Sequence, residues 1–550
     1  MSSNIAIANC DPAVLKDDDL INEGTFGQVW NDPVASHRIV KTFRNGGSHE
    51  LDESLLKEMS VSQIIVRNRG SFVLPAEFGY FKIPNDQKTT ELNGNEPADP
   101  QSYVTVPGFR SIKCSGDAHS VFVSASNEDG KQNTASVASL EDVARILFCC
   151  HVALMKAHSL GLVHRDVKPD NIFLNLRQEA EGPKKSRVVE AFLGDWGSCR
   201  SQGVLSSSLY ERENRMHLGC SGNIMASVFR PPEILCFKEY KENGQLDSKG
   251  FADALDFWGL GMSIVCILFR QMPETTECES CYDNGMRSQC NPNCQWVWVS
   301  QFLERIRNES ASIQFGRLIP QSLLDVLGAL LCPIPSQRRI KSRYILSYPF
   351  FEQYLPRQCF DALLEHPLDC VSQIGKTCNP AFPSHFIQVS ELDPDLLSVG
   401  QHAKTVLDKA WGSKEHCADL VLRGAVCFAT ALLEQNGKDS FKKYVREHRI
   451  VETCQGMFTN SNALMFFTCA SLAEKILLGR EEYLCTPSWF KEVIASAFPE
   501  VPVEELVTYP MALELEVSSL LKWNFFGVIQ VMNSRKDPNI KKIINVNTTL

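Results

Sequence analysis

Five polar residues in the segment Leu162–Leu174, LVHRDVKPDNIFL, give the sequence its clearest chemical content: His164, Arg165, Asp166, Lys168 and Asn171. A carboxylate at Asp166 can accept the proton of an attacking hydroxyl or orient the nucleophile. The ammonium of Lys168 can neutralise charge on a γ-phosphate, and the amide of Asn171 can bind magnesium through its oxygen. These types in this order on one loop suit transfer of a phosphoryl group from ATP. Chance recurrence of all five is remote.

Upstream residues supply matching parts. Ile39-Val40-Lys41 reads as a strand ending in a cation that can hold α- and β-phosphates. Glu58 follows in the helical pattern Leu51–Ile65, and a Lys41–Glu58 pair would align the lysine. Alone, each has a plainer reading: an exposed strand lysine and a solvated helix face. In Ile21–Trp30, INEGTFGQVW, Gly24 and Gly27 let a strand–turn–strand backbone approach phosphates where a Cβ would obstruct. With Asn22 and Val29 they form the candidate nucleotide-binding set.

Strands are needed before these groups and helices behind them. Residues 15–108 read as short strands with one helix. Pro84–Pro100 and Ser115–Ser139 are polar stretches that read as surface loops. From Leu140 the pattern changes, with Val143, Ile146, Leu147, Cys150 and Leu154 recurring at spacings of three and four on one apolar face. Arg177–Arg187 separates two strand-like runs, and helical patterns continue to Tyr354. Residues 356–405 read as a linker, and residues 406–550 as all-helical.

On these motifs the region from about residue 15 to 355 resembles the eukaryotic protein kinase family, and Lys168-Pro169 is similar to its serine/threonine branch. The resemblance implies a two-lobed α+β fold, with a small lobe over 15–108 and a large one over 109–355. It places Asp195, in Asp195-Trp196-Gly197, beside Asn171 as a magnesium ligand, and it gives catalytic roles to Asp166, Lys168, Lys41 and Glu58. Trp196 stands where most kinases have Phe; the Trp variant also occurs in kinases resembling casein kinase two. Asn22 stands where the first loop glycine usually is, and Asn tolerates unusual backbone angles. Phe229–Glu233 matches the motif closing the activation segment, and Asp256–Gly261 resembles the buried helix anchoring the catalytic loop. Pro335–Arg339 with Tyr348–Phe351 resembles the end of the domain, where either Arg338 or Arg339 pairs with Glu233.

Within that family, Arg230 resembles the cyclin-dependent group, which implies preference for proline after the phosphorylated residue. Ser221 falls at that group's activating phosphorylation position, with Lys57, Arg165 and Arg200 at the three basic positions that grip the phosphate. The plainer reading is an unmodified loop serine. The runs 463–478 and 511–525 resemble two helices of a cyclin box, with Leu513, Val517, Leu520 and Leu521 as a buried stripe. Lys475 and Glu514 fall on the charged positions that cyclins use to contact the helix carrying Glu58. An unrelated helical domain is the alternative. If the likeness holds, the linker makes activation intramolecular. Separately, Cys278, Cys281, Cys290 and Cys294 have a spacing that can hold zinc tetrahedrally, against scattered cysteines in a chain with 21 of them.

Bulk properties narrow the classes. Of the 550 residues 44% are hydrophobic and 22% charged, which fits a folded chain. The net charge of −10 offers no general basic surface, so no direct nucleic-acid binding is expected. The N-terminus lacks the layout of a signal peptide and no apolar run is long enough to span a bilayer, so an intracellular protein, cytoplasmic or nuclear, without membrane contact is expected. The expected function is ATP- and Mg²⁺-dependent phosphorylation of protein Ser/Thr, under a cis-acting cyclin-like domain. The rivals are a catalytically silent kinase-fold scaffold and an active kinase whose C-terminal domain is a substrate adaptor.

Overall fold

Runs of β-branched and aromatic residues between turn signals build the first part of the chain. In the computed structural model they give β1 (Ala13–Val14), β2 (Leu20–Gly24), β3 (Gly27–Asn31), β4 (Arg38–Thr42), β5 (Glu77–Pro84) and β6 (Tyr103–Ile112). The structure describes residues 13–24, 27–43, 53–67, 72–84, 103–123, 137–178, 186–201, 229–235, 252–270, 319–356, 415–434, 443, 461–477, 510–521 and 525. The six strands form one sheet in the order β1-β5-β6-β4-β3-β2, parallel between β1 and β5 and antiparallel elsewhere.

Alternation along the strands gives the sheet two apolar faces. Leu15, Trp30, Val40, Phe81 and Ile83 cluster on one of them. Phe43 and Phe109 join Leu55, Leu56 and Met59 of α1 (Glu53–Arg67) in the main core. Val40 therefore lies in the first cluster while its neighbour Lys41 reaches α1. Strand β6 crosses the expected lobe boundary at 108, because Phe109 pairs with Lys41 and Ser111 with Ile39.

Helices follow. Ser139 and Asp142 cap each other at the start of α3 (Leu140–Ser159), and Val143, Ile146, Leu147, Cys150 and Leu154 are buried as the periodicity predicts. Ser115–Ser139 is not loop throughout. It holds β7 (Gly116–Asp117) and α2 (Ala118–Phe122), with Ala118 and Phe122 in the core. Asp117 caps α2 by accepting the Ser120 N–H. One turn and a half is too short for the apolar period to show in sequence.

Strand β8 (Leu162–Val163) leads to β9 (Ile172–Gln178) and β10 (Ser186–Leu193), and β11 (Arg200–Ser201) returns to pair with β8. Beyond them lie α4 (Pro232–Leu235), α5 (Ala252–Phe269), α6 (Gln321–Leu330), α7 (Pro335–Arg343) and α8 (Pro349–Tyr354).

His151 of α3 is buried, with Nε2 2.8 Å from the Ser342 carbonyl and its ring stacked on Phe257. Burial pushes its pKa down from 6.5 to about 4, against the hydrogen bond to Ser342. The folded chain thus refuses a proton that the unfolded chain accepts. Stability is full above pH 6.5 and is lost as pH falls towards 4, by about 3 kcal/mol in all. His151→Gln is expected to flatten that part of a stability–pH curve from denaturant melts; an unchanged curve refutes the assignment.

The C-terminal part contributes α9 (Glu415–Glu434), α10 (Ser461–Leu477) and α11 (Pro510–Leu520). Helices α9 and α10 approach closely at Gly424, where a Cβ would lie 2.6 Å from Leu477 Cδ1 and 2.7 Å from Ala473 Cβ. Leu513, Val517 and Leu521 are buried and Leu520 partly so. Helix α10 also packs against α1 and β11, and its apolar side chains continue the core of the earlier helices. No helix among the described residues is long and apolar enough to cross a membrane.

Candidate active site

The β2–β3 hairpin sets Gly24 opposite Gly27, and Val29 opposite Lys41 on β4. At Gly27 a Cβ would stand 2.1 Å from the Thr42 carbonyl, so only glycine permits this approach. Asn22 is exposed on β2, its Oδ1 accepting the Glu23 N–H.

Alternation along β4 carries Lys41 to the α1 side. Its Nζ lies 2.6 Å from Glu58 Oε1 and 3.4 Å from Asp195 Oδ1. Burial disfavours this ammonium, but the carboxylates of Asp195 and Glu58 outweigh it and hold the proton more firmly than an ordinary lysine does. Burial likewise works against the Asp195 carboxylate, yet Lys41, His164 and Lys168 keep its pKa below the usual value. Asp195 adopts the left-handed conformation, φ 57°, ahead of the turn Trp196–Ser198.

The catalytic-loop candidates converge below this pair. Lys168 Nζ lies 2.9 Å from Asp166 Oδ2. Asn171 donates from Nδ2 to the Asp166 carbonyl at 2.7 Å and to its Oδ2 at 3.1 Å. His164 Nδ1 accepts the Asp166 N–H, and its Nε2 lies 3.0 Å from the Gly194 carbonyl, which fixes the tautomer by its partners. Trp196 packs against His164 with ring centroids 4.3 Å apart and the planes tilted by 51°, and its Nε1 donates to the Leu193 carbonyl.

Asp256 of α5 anchors the loop from below. Its carboxylate accepts the His164 N–H at 2.8 Å and the Arg165 N–H at 2.7 Å, and it receives His158 Nε2 at 2.8 Å. Three residues further, a Cβ on Gly259 would lie 2.7 Å from the Val167 carbonyl, so the helix meets the loop without a side chain between them.

The arginine register is now decided. Arg338 pairs with Glu233 and donates to the carbonyls of Ala254 and Cys332 at 2.9 Å each, while Arg339 pairs with Asp253. Lys57, Arg165, Arg200 and Arg230 are all buried. Lys475 Nζ lies 2.8 and 2.9 Å from the two oxygens of Glu514. Ser221 and the quartet Cys278, Cys281, Cys290 and Cys294 lie outside the described residues. No group of residues that could hold a metal in the manner of a structural site occurs among the described residues.

Sequence reasoning passed over the strip from Ser111 to Ser115, which joins β6 to β7. Ser111 Oγ donates to the Pro75 carbonyl, and Ser115 N–H donates to the Leu174 carbonyl. Nothing in the side-chain types marks this strip, since its partners, Pro75 and Leu174, lie far away in sequence.

The site suits magnesium by donor chemistry. Asn171 commits its amide nitrogen to Asp166, which leaves its oxygen for a cation; Asp195 adds a carboxylate; and Asp166 Oδ1 is buried without a hydrogen-bond partner among the described residues. Such hard oxygen donors are what magnesium takes.

Comparison with known proteins agrees. The family described as protein kinase domain matches residues 121–351. The serine/threonine-protein kinase PknD of Chlamydia caviae is 24% identical over 257 residues, 46% of this chain and 24% of that protein. A probable serine/threonine-protein kinase of Dictyostelium discoideum is 24% identical over 247 residues, 43% of this chain and 46% of that one. Homeodomain-interacting protein kinase 1 of Caenorhabditis elegans is 30% identical over 145 residues, 26% of this chain and 13% of its own length. The chain thus spans less than half the length of these relatives. Over residues 121–351 the chain is similar to the protein kinase domain family, and its relatives include serine/threonine kinases.

Proposed function

We propose that this protein transfers the γ-phosphoryl group of ATP to serine or threonine hydroxyls of protein substrates. The observation that carries the reading is the assembled set: Lys41 bonded to Glu58 and within reach of Asp195, above Asp166 held by Lys168 and Asn171. Lys41 would hold the α- and β-phosphates, kept in place by Glu58. Asn22, Gly24, Gly27 and Val29 would line the nucleotide. Asp166 would orient the substrate hydroxyl and take its proton as the new P–O bond forms, and Lys168 would neutralise the phosphoryl oxygens. Asn171 and Asp195 would hold Mg²⁺, which when bound neutralises phosphate charge. ADP leaves with the electron pair of the broken P–O bond.

Finer parts of the reading rest on particular residues. Arg230 supports preference for proline after the phosphorylated residue. Ser221 is the expected phosphorylation site, its phosphate meeting Lys57, Arg165 and Arg200. The contact of α10 with α1 supports an activating, cyclin-like role for residues 406–550, acting in cis on the kinase lobes over 15–108 and 109–355 across a linker at 356–405. The cysteine quartet would hold a structural zinc; metal analysis of purified protein finding none ends that idea.

Phosphate transfer from ATP–Mg²⁺ to a Ser-Pro peptide tests the whole. The full chain is expected to exceed an Asp166→Asn blank, and a Ser-Ala peptide to be phosphorylated more slowly. Nucleotide binding without transfer would instead favour a silent scaffold.

A further inference from the structure

Three cations are buried at one place behind the active site. Lys57, Arg165 and Arg200 are 2%, 1% and 1% exposed. Three elements bring them together. Helix α1 seats on the turn Trp196–Ser198, β11 sets Arg200 opposite Val163, and Arg165 Nη1 reaches towards the Ser198 carbonyl at 3.4 Å. Buried like charges repel strongly unless a carboxylate lies among them.

The chain provides one. Glu53 stands in the first turn of α1, four residues before Lys57, is itself buried, and its carboxylate accepts a hydrogen bond from Lys57 Nζ. Burial pulls the Lys57 pKa down; Arg200 and Arg165 act in the same direction, and Glu53 opposes them. Lys57 precedes Glu58, the partner of Lys41. The turn of α1 that fixes one therefore fixes the other.

We infer that Glu53 is the resident anion of the Lys57–Arg165–Arg200 cluster, a positioning residue that keeps α1 seated and Glu58 on Lys41 before any phosphate arrives. The inference rests on the kinase reading for its effect on rate, and on burial and charge alone for its effect on stability.

The test uses the full chain as wild type, Glu53→Gln, Glu53→Asp and Glu77→Gln, the last removing a carboxylate that pairs with exposed Arg38. Inorganic phosphate is the probe, with melting temperature and peptide phosphorylation as the two readouts. Glu53→Gln is expected to melt lower and to lose about tenfold in rate. Millimolar phosphate, supplying the lost negative charge beside the three cations, should restore both, leave wild type and Glu77→Gln unmoved, and restore Glu53→Asp only in part. A Glu53→Gln protein that melts and works like wild type overturns the inference. So does a loss that phosphate does not restore, which reduces Glu53 to an ordinary carboxylate at a helix start. If Glu53→Gln fails to fold, Glu53→Asp decides: an intermediate loss that phosphate relieves supports the inference, and wild-type behaviour overturns it. If no protein transfers phosphate the kinase reading fails, while melting with and without phosphate still decides the place of Glu53.

Discussion

Asp166→Asn is expected to lower the rate of peptide phosphorylation about a thousandfold. The substitution keeps the shape of the side chain and its place between Asn171 and Lys168, but it removes the charge. Lys168 Nζ, 2.9 Å away, then lies beside a neutral amide, which cannot take the hydroxyl proton as the carboxylate would. Lys41, Glu58 and the glycine hairpin are untouched, so the loss should fall on kcat and leave KM for ATP within about twofold. Steady-state kinetics with varied ATP separates the two. A loss below tenfold would mean that Asp166 is not the group that handles the hydroxyl.

The second large effect is expected far from the reacting atoms. Lys475→Ala takes the Lys475 ammonium away from the buried Glu514 carboxylate, which keeps Ser471 Oγ at 2.6 Å as a donor. Breaking one side of a buried pair costs about 3–5 kcal/mol. Because α10 rests on α1 and β11, its loosening should free α1, let Glu58 leave Lys41, and reduce phosphotransfer about a hundredfold. Lys475→Ala with Glu514→Ala removes both charges and should melt higher than the single variant. A folded Lys475→Ala protein with unchanged rate would dismiss the activating role. Residues 1–357 alone, if as active as the full chain, would point instead to an adaptor role for the remainder.

Chemistry was legible wherever it depends on side-chain type at short spacing. Asp166, Lys168 and Asn171 sit on one short loop, so few bonds separate them and the turn at Pro169–Asn171 suffices to bring them within hydrogen-bond reach. The helical period placed the buried face of α3 for the same local reason.

Tertiary structure decided what depends on partners distant in sequence. Arg338 and Arg339 are adjacent and chemically identical. Only the burial of one against Ala254, Cys332 and Trp258, with the other left to Asp253, gives Glu233 its partner. Helix α2 escaped notice because five residues carry too little periodicity, and the Ser111–Ser115 strip because its partners are distant in sequence. Glu53 reads in sequence as an unremarked acid at a helix start. It gains meaning only where folding buries Lys57 with Arg165 and Arg200, because the strength of a charge–charge interaction is set by the surrounding dielectric, which the order of residues does not contain.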